Sequence, residues 1–472
     1  MEDADIKPDV VSYSAAIVAC GRGGRWEECV SLLREMQPAG ITPNVICYSA
    51  AIKACGNGGP RELAVTLLRE MKGAGIAPDV TTYNAAIKAF GNGRQWELAV
   101  SLLREMESAG ITPTMLSYNS AIKACGSGGQ CELAVSLLRE MVGAGIAPDA
   151  ITYNSAIKAC GSGGQWEVAI SLLKEMKSAC ITPTMVSYSS AIKACGGGGQ
   201  WKPVLALLKE MESAGITPDV TTYNSAIKAC GNGREWEQAM SLLREMPMKG
   251  ITPNAVSFNS AITACGSVGQ WREAESLLRE MSESGISPNV VTYAAVITAC
   301  RKGDEWKEAV SLLREMPERG ITPNEVSYNS AVTACGNGGQ WEQALALFRE
   351  MGEKGHDARS YAAAVTACGN GGQWEEAVSL LKEMEKKGVA PSVITFNAAI
   401  KACGKGGQWE EAVSLLRETE SCGLTPDAVT YAAAIGACTD GGQAELATSL
   451  SREMLSMGII PVVPASAAAA KS

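Results

Sequence analysis

The chain is poor in the groups that carry most chemistry. His356 is its single histidine among 472 residues, followed by Asp357 and Ala358. No CxxC pair occurs, so the H-x-E and C-x-x-C signature of zinc deaminases is missing. Neither a Ser-His-Asp constellation nor a phosphate-binding loop can be assembled, and no cofactor or metal is expected. No run of eighteen apolar residues exists, which excludes a membrane-spanning helix within this sequence. The opening "MEDADIKPD" lacks the basic, apolar pattern of a targeting segment. Net positive charge is also lacking: the formal charge is −9, against a protein that coats nucleic acid indiscriminately. Catalysis is not expected.

What the chain has instead is one sentence said many times. "TTYNSAIKACGNGREWEQAMSLLREM" at residues 221–246 recurs in close copies. Aligned on the tyrosine, the units begin at 10, 45, 80, 115, 150, 185, 220, 255, 290, 325, 358, 393 and 428. That makes thirteen units over residues 10–462, twelve of 35 residues and one of 33. Residues 1–9, ending in "IKPD", match the end of a preceding repeat, and residues 463–472 read as a disordered tail. A fixed period of this length means a solenoid, in which each unit buries its apolar face only against its neighbours.

Positions are counted with Val220 as 1 and Asn254 as 35. Tyr223, Ala226, Ile227 and Cys230, at positions 4, 7, 8 and 11, follow the spacing of an amphipathic helix. "GNGR" ends it, and Trp236, Ala239, Met240, Leu243 and Met246 begin a second stripe at position 17. Gly at position 31, replaced only by Cys180, suits a left-handed helix end, and Pro253 blocks continuation. The fold class is therefore all-α, an α-solenoid of stacked helical hairpins. All eleven tyrosines fall at position 4 and all ten tryptophans at position 17, so the aromatics are assigned to the core and none is left as a base-stacking platform. Twelve of the seventeen cysteines share position 11, which reads as buried packing; so many free thiols favour a reducing compartment. Tryptophan is lost at Arg61, Cys131 and Ala444, where looser junctions are expected.

Positions 2, 5 and 9 share the other face of the first helix. Position 2 is usually aliphatic, as in Val11, Ile46, Leu116 and Val291. Position 9 is lysine in seven repeats, Lys53, Lys88, Lys123, Lys158, Lys193, Lys228 and Lys401, either a phosphate contact or an ordinary solvated side chain.

The 35-residue period, the two helices and phrases such as "VTYNSAIKACG" and "ITPD" closely resemble the pentatricopeptide repeat family, P class, over practically the whole chain. The resemblance implies a right-handed superhelix that binds single-stranded RNA at one nucleotide per repeat, positions 5 and 35 choosing the base and position 2 sandwiching it. It also implies a monomer acting in chloroplasts or mitochondria on RNA processing, stability or translation, with protein partners supplying any catalysis. The ten pairs with a polar position 5 are Ser14 with Asn44, Ser49 with Asp79, Asn84 with Thr114, Asn119 with Asp149, Asn154 with Thr184, Ser189 with Asp219, Asn224 with Asn254, Asn259 with Asn289, Asn329 with Asp357, and Asn397 with Asp427. These twenty residues are the candidate RNA-binding set. Ala294, Ala362 and Ala432, facing Asn324, Ser392 and Val462, should select little. By the family's logic the preference is A-G-Y-U-Y-G-Y-Y-x-U-x-U-x, 5′ to 3′, Y being either pyrimidine.

Two bland readings stand beside this. Asn, Asp, Ser and Thr at position 35 are also good helix N-caps, which alone accounts for every residue there but Val462. A protein-binding scaffold of tetratricopeptide type would stack hairpins too, although its groove would want larger, more varied side chains. Repeat 10 departs from the pattern: "MGEKGHDARSY" is two residues short, lacks the proline and puts Arg359 at position 2, so an irregularity is expected over residues 351–362.

Overall fold

The computed structural model describes residues 7–91, 95–352 and 356–460. Among them are 26 helices, two per repeat, from Val10–Arg22 to Ala444–Ser456. They form two compact units, Met1–Gly233 and Arg234–Ser472, divided in the turn of repeat 7. Val462 and the tail from residue 463 lie outside the described residues.

Within each unit the first helix of a repeat packs on its own second helix and on the first helix of the next repeat. The stripe at positions 4, 7, 8 and 11 forms this seam: Tyr83, Ala86, Ile87 and Phe90 are all at most 1 % exposed. Each buried tyrosine needs a partner for its hydroxyl, and the second helix supplies it 22 residues on. Tyr83 donates to Glu105 at 2.9 Å, Tyr293 to Glu315 at 3.0 Å and Tyr361 to Glu383 at 3.0 Å. Burial, then the adjoining Glu315 carboxylate, pushes the Tyr293 hydroxyl up to about 12.

The second helix closes as the glycine at position 31 requires. Gly250 sits at φ 73°, and Ile251 N–H returns to the Met246 carbonyl at 2.9 Å. Cys180 adopts the same left-handed backbone, φ 58°, with a side chain to accommodate.

The tryptophans correct the assignment of all aromatics to the core. They are half-buried and reach across to the following repeat. A Cβ on Gly303 would stand 2.7 Å from Cδ1 of Trp271, and one on Gly371 2.6 Å from Cδ1 of Trp341. The glycine after the first helix is thus the socket for the preceding repeat's indole, as well as part of a turn.

Where tryptophan is missing the outcomes differ. Ala444 is exposed and Arg61 half-buried. Cys131, however, is bonded to Cys160 of the next repeat, so that junction is covalently stapled rather than loosened. This also corrects the reading of every position-11 cysteine as a free thiol. Most of the others are buried as expected, and desolvation pushes the Cys125 thiol up to about 11 and that of Cys300 to about 12, which keeps them protonated and unreactive.

Repeat 10 is irregular. Its second helix, Trp341–Glu350, has 10 residues instead of the usual 13. His356 stacks on Phe348 with ring centroids 4.1 Å apart and meets Tyr361 edge-on, while its Nε2 lies 2.8 Å from the Phe348 carbonyl oxygen. The lone histidine is a packing residue that fills the shortened junction.

Candidate nucleic-acid interface

Position 35 directly precedes each first helix, and its side chain caps that helix. Asp79 accepts from Thr82 N at 2.8 Å, Asp149 from Thr152 N at 2.8 Å and Asn324 from Ser327 N at 3.0 Å. Asp9 does the same for the first helix, from Ser12 N at 2.8 Å. Capping therefore holds, but it is not the only contact these residues make.

In four repeats the asparagine at position 5 reaches the position-35 side chain of its own repeat. The Nδ2 group donates from Asn84 to Thr114 Oγ1 at 3.2 Å, from Asn119 to Asp149 Oδ1 at 3.4 Å, from Asn154 to Thr184 Oγ1 at 3.5 Å and from Asn397 to Asp427 Oδ1 at 3.2 Å. Residues 30 apart in sequence thus meet as a polar pair at each of these junctions. Burial raises the Asp149 carboxyl, but hydrogen bonds from Thr152, backbone and side chain, and from Asn119 outweigh it and hold the group below its ordinary 3.8. Asp427 is lowered in the same way by Thr430 and Asn397.

The serines do not reach. Ser14, Ser49 and Ser189 turn back to the Val10, Val45 and Val186 carbonyls of their own helices, and among the described residues no hydrogen bond joins them to Asn44, Asp79 and Asp219. Among the described residues no hydrogen bond joins Asn259 to Asn289 or Asn329 to Asp357. Asp357 instead lies beside Glu325, whose carboxyl that neighbour raises. Asn224 belongs to the first unit and Asn254 to the second.

Position 2 presents exposed aliphatic surface in ten of the thirteen repeats, Thr81, Thr221 and Arg359 excepted: Ile46 is 58 %, Ile151 63 % and Ile394 68 % exposed. Large aliphatic groups left in water at a regular interval are the informative departure from ordinary burial. In repeat 9, where Ala294 replaces the polar residue, a cleft of about 390 Å³ opens beside Asn324 between Val291 and Val326. Lysines at position 9 are exposed in all seven repeats that carry them.

A third polar group was not singled out from the sequence. Position 3 carries serine or threonine in every repeat but the second, which has Cys47. From repeat 3 onward these residues are buried, Ser117 and Thr152 at 0 % exposure. Thr82 Oγ1 lies 2.7 Å from Ser49 Oγ, Ser117 donates to Asn84 Oδ1 at 2.5 Å, and Thr152 to Asn119 Oδ1 at 2.5 Å. The signal was present in the near-invariance of a hydroxyl at a position with no place on the apolar stripe.

Regular helical hairpins with a polar pair at successive junctions define the class of α-solenoid repeat proteins. Family models agree: the pentatricopeptide repeat domain matches residues 61–128, 136–198 and 206–268. The PPR repeat family matches 8–57, 253–302, 295–337, 356–405 and 391–440, and the PPR repeat 116–146, 186–216 and 326–356. The chain belongs to the pentatricopeptide repeat family. Its fold is similar to the crystal structure of the pentatricopeptide repeat protein PPR10 from maize, at 24 % identity and a TM-score of 0.62, covering 96 % of this chain and 75 % of that one. PPR10 in complex with an 18-nt psaJ RNA element is similar at 22 % identity and a TM-score of 0.53, covering 97 % and 75 %. No curated protein sequence matches.

Proposed function

We propose that this protein binds single-stranded RNA sequence-specifically, one base per repeat, and serves organellar RNA processing, stability or translation. The observation that carries the reading is the direct hydrogen bond between positions 5 and 35, repeated at Asn84, Asn119, Asn154 and Asn397 beside bare position-2 aliphatics. An amide held this way keeps one N–H for a base edge, which suits a pyrimidine carbonyl. The flanking aliphatics suit its faces. Where serine stands at position 5, the shorter side chain leaves room for a purine. The RNA complex of the similar PPR10 supports the ligand class. The organellar setting rests on family resemblance, and the twenty pair residues are proposed as the contacts.

Selection from a random RNA pool against the purified chain tests the reading. The expected winner follows A-G-Y-U-Y-G-Y-Y-x-U-x-U-x, with affinity falling as salt rises. Salt-insensitive or absent RNA binding would favour a protein ligand instead. An unchanged affinity on replacing the guanine opposite Ser49 and Asp79 would refute this register.

A further inference from the structure

We propose that the buried hydroxyl at position 3 is the third member of the reading sites at Asn84 and Asn119, a positioning residue that clamps the asparagine amide of the preceding repeat. The inference rests on the RNA-reading function above. A threonine hydroxyl has one hydrogen to give. Thr152 Oγ1 has two acceptors within reach, Asn119 Oδ1 at 2.5 Å and its own cap, Asp149 Oδ1, at 2.8 Å. Asp149 already takes an N–H from Asn119, so a proton given to Asn119 Oδ1 fixes the amide at both ends. The base is then offered one donor in a set orientation. With threonine at position 35 the contacts close into a ring, Asn84 to Thr114 to Ser117 and back to Asn84. Such rings strengthen their own members.

Repeat 12 has the same pair without the clamp. Asn397 donates to Asp427, but Thr430 gives its hydrogen to the Asp427 cap at 2.9 Å. Asn397 Oδ1 is left buried with no partner, as are Asn154, Asn259 and Asn329 Oδ1. Repeats 4 and 12 therefore read with identical residues at positions 5 and 35 and differ in where one proton goes. Repeat 4 is the stricter reader.

The test measures binding of the full chain to a thirteen-nucleotide RNA of the proposed sequence, and to copies with uracil replaced by adenine at base 4 or base 12. Thr152→Val removes the clamp, Thr152→Ser restores the hydroxyl, and Thr430→Val removes a hydroxyl that serves only the cap. The expected result is a loss of about tenfold in uracil-over-adenine preference at base 4 for Thr152→Val, the equivalent of one hydrogen bond. That loss brings base 4 to the level of base 12. Preference is kept in Thr152→Ser, Thr430→Val leaves base 12 unchanged, and the salt slope is the same throughout. Retained preference in Thr152→Val, or an equal loss in Thr430→Val, would overturn the clamp and leave capping as the hydroxyl's role. A parent chain without base preference at any position would instead bring down the RNA-reading function itself.

Discussion

In residues 1–233 position 9 is lysine in six consecutive repeats, from Lys53 to Lys228, and every one is exposed. In residues 234–472 repeats 8 to 11 carry threonine there, and Lys401 alone remains of the lysines. Thr263, Thr298 and Thr333 each donate back to a carbonyl of their own helix at 2.7 Å. Those hydroxyls are spent within the fold, whereas the lysines are offered to whatever enters the groove. Position 5 changes in step: it is polar throughout the first unit, and all three alanines, Ala294, Ala362 and Ala432, fall in the second. The same hairpin thus carries two surfaces, one with a lysine at position 9 and a polar position 5 in nearly every repeat, the other with a single lysine there and asparagine alternating with alanine at position 5. An overall charge of −9 conceals this division, because the acidic residues sit largely on the second helices, where they pair between repeats, as Glu140 does with Arg104 at 2.8 Å.

The most decisive break in this comparison is removal of the lysine row. Changing Lys53, Lys88, Lys123, Lys158, Lys193 and Lys228 to glutamine should lower the slope of log affinity against log salt by about four, at ~0.7 per single-strand phosphate contact. Converting Thr263, Thr298, Thr333 and Thr366 to lysine should steepen it. A titration series in salt reads both, and an unchanged slope would leave these lysines as solvated side chains.

Next in size is the staple in the first unit. The Cys131–Cys160 bridge closes a segment of 29 residues. Its loss through Cys160→Ala should destabilise the first unit by about 3–4 kcal/mol on chain-entropy grounds. Hydrogen exchange should show faster opening in repeats 4 and 5 and no change in repeats 8 to 13. In the second unit the junctions rely on indole and glycine, so Gly303→Ala, which drives a methyl into Trp271, should cost about 1–3 kcal/mol in a denaturant melt.

Smaller again is the gain from relieving a left-handed residue. Cys180→Gly should stabilise the first unit by about 1 kcal/mol, and Arg234→Gly or Asp304→Gly, at φ 63° and 59°, the second by a similar amount. The smallest effect is that of pH. Asp149 and Asp427 have folded values below 3.8, so their contribution to stability is complete above that value and is lost as pH falls through the lower folded ones. Melts should therefore be flat on this account above pH 3.8 and decline below it, in both units, with Asp149→Asn and Asp427→Asn flattening the acid side.

Much of the fold was legible because a repeat states each requirement thirteen times. The stripe at positions 4, 7, 8 and 11, the glycine at 31 and the caps at 35 are local demands, and local demands survive in spacing. The meeting of Asn119 with Asp149 was also accessible once a hairpin was assumed. What spacing could not give was contact between unlike positions of successive repeats. The socket of Gly303 for Trp271 looks like an ordinary turn glycine in one repeat. Cys131 and Cys160 occupy positions 17 and 11, and nothing in either position alone pairs them. The position-3 hydroxyl was passed over for a related reason: a serine or threonine at the third residue of a helix looks fully employed by its cap, and only its distance to the previous repeat's amide shows a second use.

The bare position-2 residues carry a cost for the empty protein. Ten of them, from Val11 to Val429, stand between 51 % and 68 % exposed, an unusually adhesive set of surfaces. Stripped of nucleic acid, such surfaces gain by meeting those of another copy, so the bare molecule should clump at concentrations where the loaded one stays dispersed. Its ligand is in this sense also its solvent shield, and preparations scrubbed clean of oligonucleotide should be the harder ones to keep in solution.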